Sequence, residues 1–306
     1  MFSVVMGVYN ESDKELIVAI ESILAQTYAG FEFIIVLDDP ANASAARLIA
    51  RYARNDKRIA VLPNDANIGL GNSLNRAIDL ASGNYIVRMD ADDFSHPNRL
   101  EKLASAIDGV TDVYFTKFNF IADDGRFLKK SQRMPEGNRM IRKVLKQKCI
   151  ISHPTVMFRA STVKKEKYSD LRYCEDHELW VRLLQHGYSF KGINDVMLDY
   201  TVRQSSMTTS DYYRSYFAVV YFWDHYMIKE NSNVLTNDEF MLELGKHGDQ
   251  RRIFNSVAGE YFRIVNDKKN RRKTDCLRLL LLFAKSPQLL DFFCRSAVAG
   301  VLRRMG

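Results

Sequence analysis

Short, almost unbroken apolar runs alternate with amphipathic stretches over the first 90 residues. Ser3–Val8 reads as a buried strand closed by Tyr9-Asn10-Glu11, and Leu16, Ile17, Ile20, Ile23 and Leu24 then recur at helical spacing. A second strand, Phe31–Leu37, runs into Asp38-Asp39-Pro40, where the proline ring removes a ladder donor. Ala45–Ala53 is a helix with Leu48, Ile49 and Tyr52 on its apolar side, and Ile59–Leu62 is a third strand. Asn67-Ile68-Gly69-Leu70-Gly71 is a turn, Asn72–Ala81 a helix stopped by Ser82-Gly83, and Tyr85–Met89 a fourth strand. Regular alternation of this kind predicts an α/β fold, a mostly parallel sheet flanked by helices.

After residue 100 the pattern loosens. Val113–Ile121 and Thr155–Phe158 look like strands, Glu136–Gln147 and His177–Leu184 like helices, and the chain from Tyr212 onward reads as mostly helical. The expected division is a catalytic region over 1–210, with halves of about 1–100 and 101–210, and a basic helical region over 211–306.

Candidate chemistry collects at strand ends. In open parallel sheets ligands bind at the carboxyl edge, and Asn10, Asp38, Asp90 and Asp92 all fall there. Asp90-Ala91-Asp92-Asp93 crowds three carboxylates into four residues, and like charges this close repel unless a cation joins them. Hard oxygen ligands suit Mg²⁺ or Mn²⁺, which share their shell with substrate phosphates. A solvated acidic turn is the competing reading; the shared strand-end placement favours the site. Gly69 and Gly71 do not complete a dinucleotide fingerprint.

Charge is unevenly spread within a net +7: residues 1–250 carry 31 Lys and Arg against 33 Asp and Glu, and residues 251–306 carry 13 against 4. The basic helices of 271–306, with leucine-rich faces between Arg271-Arg272-Lys273 and Arg303-Arg304, suit an anionic membrane surface. Packing of the same helices back on the catalytic region is the alternative. They are too leucine-rich, with too little aromatic–basic interleaving, for nucleic acid. Four cysteines without metal or disulfide spacing suggest a reducing compartment, and no apolar run approaches the roughly 20 residues a span needs. The first strand begins almost at once, which argues against a signal peptide. The expected location is cytoplasmic, peripheral at the inner face of the cell membrane.

The ordered motifs resemble a known family. Ser3-Val4-Val5-Met6-Gly7-Val8-Tyr9-Asn10-Glu11, Ser22–Tyr28, Asp38-Asp39, Asn67-Ile68-Gly69, Asn75, Ala81–Ile86, Arg88–Asp93, Ser152-His153-Pro154-Thr155 and Glu175-Asp176 with Leu179-Trp180 are similar to family 2 inverting glycosyltransferases of the GT-A fold. The likeness covers about residues 1–205. It implies a Rossmann-like mixed sheet, a UDP-sugar donor, Mn²⁺ or Mg²⁺, and a saccharide acceptor, lipid-linked in surface-polysaccharide (O-antigen or capsule) assembly. Carried over by position, Tyr9 packs on uracil, Asp38 accepts from its ring N–H, and Val8, Asn10, Asn67 and Ala91 complete the nucleotide site. Asp90 meets the ribose and the metal-bound diphosphate, Asp92 ligates the metal, and Asp176 is the general base. Glu175, His153 and Arg203 support them. An acid at position 176 also suits a helix N-terminus, and the two roles are compatible. Two departures are Pro40 where relatives continue Gly-Ser, and Arg203 displaced from the tyrosine it usually follows. A sugar-nucleotide pyrophosphorylase and a non-catalytic nucleotide- or nucleic-acid-binding module are the other classes to weigh.

Overall fold

Parallel strands carry the first part of the chain. β1 (Phe2–Val8) lies between β2 (Phe31–Leu37) and β4 (Tyr85–Asp90), and β3 (Ile59–Pro63) flanks β2. The computed structural model describes residues 1–203, 211–266 and 281–305. Helices α1 (Asp13–Leu24), α2 (Ala43–Asn55) and α3 (Leu70–Leu80) make the connections. α1 starts where it does because Ser12 and Glu15 form a reciprocal capping box, and it buries Leu16, Ala19, Ile20 and Ile23 against the sheet. β1, β2 and β4 are almost wholly buried, as strands covered on both faces must be.

The second part completes a nine-stranded sheet in the order β3-β2-β1-β4-β8-β6-β9-β5, with β7 pairing β6. The added strands are β5 (Phe94–Ser95), β6 (Val113–Ala122), β7 (Phe127–Lys130), β8 (Val156–Arg159) and β9 (Phe190–Val202). β8 runs antiparallel to both β4 and β6, β5 antiparallel to β9, and β9 parallel to β6, so the sheet is mixed. Helices α4 (Arg99–Ala106), α5 (Asn138–Leu145), α6 (Ala160–Glu166) and α7 (Glu175–Gln185) pack around it. α7 begins two residues before the start expected from the apolar pattern, because its first turn is acidic.

The carboxyl-terminal helices are α8 (Tyr212–Trp223), continued by a π-helical turn at Asp224–Ile228, then α9 (Asn237–Gly245), α10 (Gly248–Asn266) and α11 (Pro287–Met305). They share a second apolar core around Tyr213, Phe217, Phe222, Phe240, Phe254, Leu282 and Leu289, which Leu171 and Val181 join to the catalytic part. α11 packs along α5 and buries Ala299 in the main core, while Leu290, Val298 and Val301 stay exposed. Residues 271–280 of the anticipated membrane segment lie outside the described residues. No helix among the described residues is long and apolar enough to cross a membrane.

Candidate active site

Parallel register brings the expected nucleotide residues to one edge. Gly7 pairs with both Val36 and Asp90, and Val8 with Leu37, so Tyr9, Asn10, Asp38 and Ala91 emerge side by side. Tyr9 is half exposed, at 49%, leaving a ring face open. Asp38 is buried, and its carboxylate accepts from Asn64 Nδ2 (2.6 Å) and from the backbone N–H groups of Ile68 (2.9 Å) and Gly69 (3.0 Å). These bonds draw the loop bearing exposed Asn67 against Asp38 and use three of the roughly four acceptor positions a carboxylate has. Gly69 adopts φ +84°, a left-handed conformation that suits glycine, as it opens α3.

The three aspartates after β4 converge. Ligand oxygens of Asp90, Asp92 and Asp93 lie within 4.8 Å of one another. Burial, then the Asp90 charge, pushes the Asp92 carboxyl up to about 7. Asp93 is buried at 1% exposure; one oxygen accepts from Thr201 N at 2.9 Å and the other has no partner. A buried orphan oxygen beside two further carboxylates is a donor set that fits a hard divalent cation. Cations already answer the charge on two sides. Arg88, on the same strand face as Asp90, holds Asp90 Oδ1 at 2.5 Å, and Arg203 reaches Asp92 Oδ2 and Glu15 Oε1 at 2.9 Å each. Arg203, expected as a supporting residue, therefore sits on the aspartate cluster. Asp93 ties its turn to β9 and does not cap a helix.

The other wall comes from β8, α7 and β9. Because β8 runs antiparallel beside β4, the 3-10 turn His153–Thr155 that precedes it falls at the same edge. His153 is buried, with Nε2 2.7 Å from the Tyr168 hydroxyl and Nδ1 3.9 Å from Glu175 Oε1. Burial holds its imidazole well below its usual pKa, so it is neutral there. Asp176 is the second residue of α7 and accepts from the His177 N–H at 2.7 Å. Burial, as the largest cause, raises both carboxyls, Glu175 to about 8 and Asp176 to about 6. The pair then favours a protonated Glu175 beside an ionised Asp176 at neutral pH. Asp90 and Arg88 act electrostatically on both.

The sequence alone did not single out Arg88, Glu11 or Tyr200 as members of the site. Arg88 is 1% exposed at its centre, the Glu11 carboxyl is raised by burial first and feels the charges of Arg203 and Asp90, and the Tyr200 hydroxyl is raised by burial first and then by the charges of Asp90, Asp93, Asp92 and Asp176. The available signals were Arg88 two residues before Asp90 on one strand face and Tyr200 as the tyrosine that Arg203 is displaced from. His177 and Trp180 point into the core, His177 5.9 Å from the Phe222 ring and Trp180 stacked at 5.6 Å on Phe158.

Known proteins share the sequence pattern and the fold that carry this arrangement. The family model described as glycosyl transferase family 2 matches residues 3–172. The chain belongs to glycosyl transferase family 2. This family 2 chain is 37% identical over 205 residues to an uncharacterized glycosyltransferase of Methanocaldococcus jannaschii, covering 66% of this chain and 71% of the relative. It is 30% identical over 200 residues to the amylovoran biosynthesis glycosyltransferase AmsE of Erwinia amylovora, covering 65% and 75%. In fold it resembles S. aureus TarS 1-349 in complex with UDP-GlcNAc, with TM-score 0.58 and 18% identity over 95% of this chain and 79% of that one. It also resembles the mannosyltransferase PcManGT of Pyrobaculum calidifontis in complex with GDP-Man and Mn²⁺, with TM-score 0.57 and 13% identity over 98% and 86%. These likenesses establish a GT-A fold and a glycosyltransferase.

Proposed function

We propose that the chain is an inverting transferase that moves a sugar from a UDP-sugar to an acceptor hydroxyl. The observation that carries it is the pairing of the Asp90–Asp92–Asp93 cluster with an ionisable Asp176 across one sheet edge. Tyr9 stacks on the base, Asp38 offers its remaining lone pair to the ring N–H, and Val8, Asn10, Asn67 and Ala91 shape the pocket. Asp90 and Asp92 would hold Mn²⁺ or Mg²⁺, which supplies Lewis-acid neutralisation of the departing diphosphate. Arg88 fixes Asp90, and Arg203 stands beside Asp92 where it can follow the diphosphate charge. Asp176 takes the proton from the acceptor hydroxyl as its oxygen bonds to the anomeric carbon; the bond from that carbon to the diphosphate oxygen breaks on the opposite face, releasing UDP. Glu175, protonated, keeps a second negative charge away from the base, and neutral His153, held by the Tyr168 hydroxyl, packs beside it.

The solved UDP-GlcNAc complex of TarS supports the uridine donor, while the GDP-Man complex of PcManGT makes the base a point to test. Amylovoran biosynthesis in the AmsE relative supports a role in surface-polysaccharide assembly, for which the acceptor of this reading is a lipid-linked saccharide. Leu290, Cys294, Val298 and Val301 share one exposed stripe of α11 beside Arg304, which supports contact with an anionic membrane surface through 271–306. The family match favours transfer over pyrophosphorylase or binding-module chemistry. Asp176→Asn tests the assignment: turnover should fall by about 10²–10⁴ while UDP affinity holds. Wild-type turnover in that variant would remove Asp176 as the base.

A further inference from the structure

Asn75 belongs to the ordered motifs of the chain, and its side-chain amide is bound to the segment that leads into α7. Asn75 Nδ2 donates to the Tyr168 carbonyl and Asn75 Oδ1 accepts from the Tyr168 N–H, both at 2.9 Å. One side chain thus satisfies both backbone groups of a buried residue that lies in no helix or strand. Gly71 stands four residues before Asn75 and so shares its face of α3. A Cβ at Gly71 would sit 3.0 Å from the Ser169 carbonyl oxygen, 3.3 Å from Tyr168 Cβ and 3.7 Å from Glu175 Cγ. The glycine lets this face of α3 lie directly on residues 168, 169 and 175.

The bound segment is held in a form it would not keep alone. Lys167 and Cys174, at its two ends, have φ +55° and +60°, left-handed values that are uncommon for residues with a side chain and persist only where the surroundings enforce them. α7 grips the same segment from its other side. Arg182 Nη2 donates to the Lys167 carbonyl at 2.8 Å, and Ser169 Oγ donates to Glu178 Oε2 at 3.0 Å. The Tyr168 hydroxyl lies 2.7 Å from His153 Nε2 in the wall beside Glu175. Residues 167–169 are therefore fixed between α3 and α7. The start of α3 is tied in turn to the nucleotide edge: Asp38 accepts from the Ile68 and Gly69 N–H groups, and Asn64 Nδ2 donates to Asp38 and to Ser73 Oγ.

We propose that Asn75 is a positioning residue, which through its two bonds to Tyr168 fixes the opening of α7 and, with it, Asp176. This rests on the reading of Asp176 as the base. One helix, α3, then sets both the loop against Asp38 and the carboxylate that meets the acceptor hydroxyl. Deleting the amide strands the buried Tyr168 N–H and carbonyl and frees the turn at Lys167 to relax.

Three measurements on the full chain test this. Hydrogen exchange read by mass spectrometry should be faster over residues 167–177 in Asn75→Ala, with β1 and β4 protected as in wild type. Calorimetry should find UDP affinity in Mn²⁺ within about twofold of wild type, since the bonds at Asp38 are untouched. UDP release in Mn²⁺ from UDP-glucose, UDP-galactose and UDP-GlcNAc, with water as acceptor, should fall in kcat by about tenfold or more, as slight misplacement of a reacting group does. In Asp176→Asn, already slowed, Asn75→Ala should cost less than about twofold further. A merely structural role would weaken UDP binding or add its full cost in both backgrounds, and either result overturns the proposal. Unchanged exchange over 167–177 overturns it as well. Asp79→Asn removes an exposed ion pair to Lys167 from the same face of α3 and should match wild type, and an equal loss there also overturns it. If Asn75→Ala does not fold, Gly71→Ala presses on the same Ser169 carbonyl, and wild-type exchange and kcat in that variant overturn the proposal. Wild-type UDP release in Asp176→Asn would fail the base reading alone; faster exchange in Asn75→Ala would still leave Asn75 positioning the opening of α7.

Discussion

Asp176 and Glu175 occupy adjacent positions in the first turn of α7, yet their protonation differs: burial raises both, the Asp176 charge raises Glu175 further, and the His177 N–H bond holds Asp176 lower. A base must be ionised to act, so the raised Asp176 pKa shifts the acid limb of activity upward. kcat/KM should climb with pH and level off above about 6, well above the roughly 3.9 of an ordinary aspartate. A pH–rate profile checks this; a limb near 4, or none, would contradict it. The crowding of Asp90, Asp92 and Asp93 was legible in the sequence because like charges that close at a strand end call for a cation, whereas Asp176 stood out only through the family resemblance, since an acid at a helix start is ordinary. Arg88 shares a strand face with Asp90, but its near-complete burial beneath the site, which makes that pairing matter, appears only once β4 is covered on both faces. The resemblance offered Arg203 only as a supporting residue displaced from its tyrosine, and its pairing with Asp92 and Glu15 depends on β9 returning to α1.

α7 carries Asp176, the proposed base, and a buried polar network fixes the helix from behind. Arg182, fully buried, donates to both Glu178 oxygens (2.7 and 3.1 Å) and to the Glu166 and Lys167 carbonyls. Tyr226, from the π-helical turn after α8, donates to Glu178 at 2.5 Å, which ties the carboxyl-terminal helices to the catalytic helix. Arg182→Met keeps the bulk and strands Glu178 as an unpaired buried charge, a loss of about 3–5 kcal/mol. Thermal unfolding by calorimetry should show a correspondingly large fall in Tm, and an unchanged Tm would mean the network is dispensable. The early strands were readable because each is a short apolar run between turns. β9 was missed because Lys191, Asn194, Asp195 and Asp199 interrupt its pattern, and its register against β6 shifts near Thr116–Phe118. α4 and β5 were missed because each is short and lies beyond the regular alternation.

Across the whole molecule, one sheet edge gathers the acids that follow β2 and β4 together with those that open α7. The helices after residue 211 do more than trail the catalytic part: Ala299 and Leu302 of α11 pack on the main core, so the alternative of packing back holds for that helix. One apolar stripe of α11 remains free for a bilayer, and cosedimentation with phosphatidylglycerol vesicles should carry the full chain down at low salt and release it at high salt. Complete recovery in the supernatant at low salt would remove the membrane reading. The tail's basic character was plain from composition, but which of its faces is covered depends on α5, whose exposed and buried sides only the fold reveals.

The central claim is a metal-assisted uridine-diphosphate site at the carboxyl edge of β1, β2 and β4. Calorimetric titration of UDP and of GDP into the chain, each with Mn²⁺ and with EDTA, tests it most directly. The account predicts UDP binding that requires Mn²⁺ and little response to GDP; tighter GDP binding would contradict the uridine donor, and binding of neither would contradict the site itself.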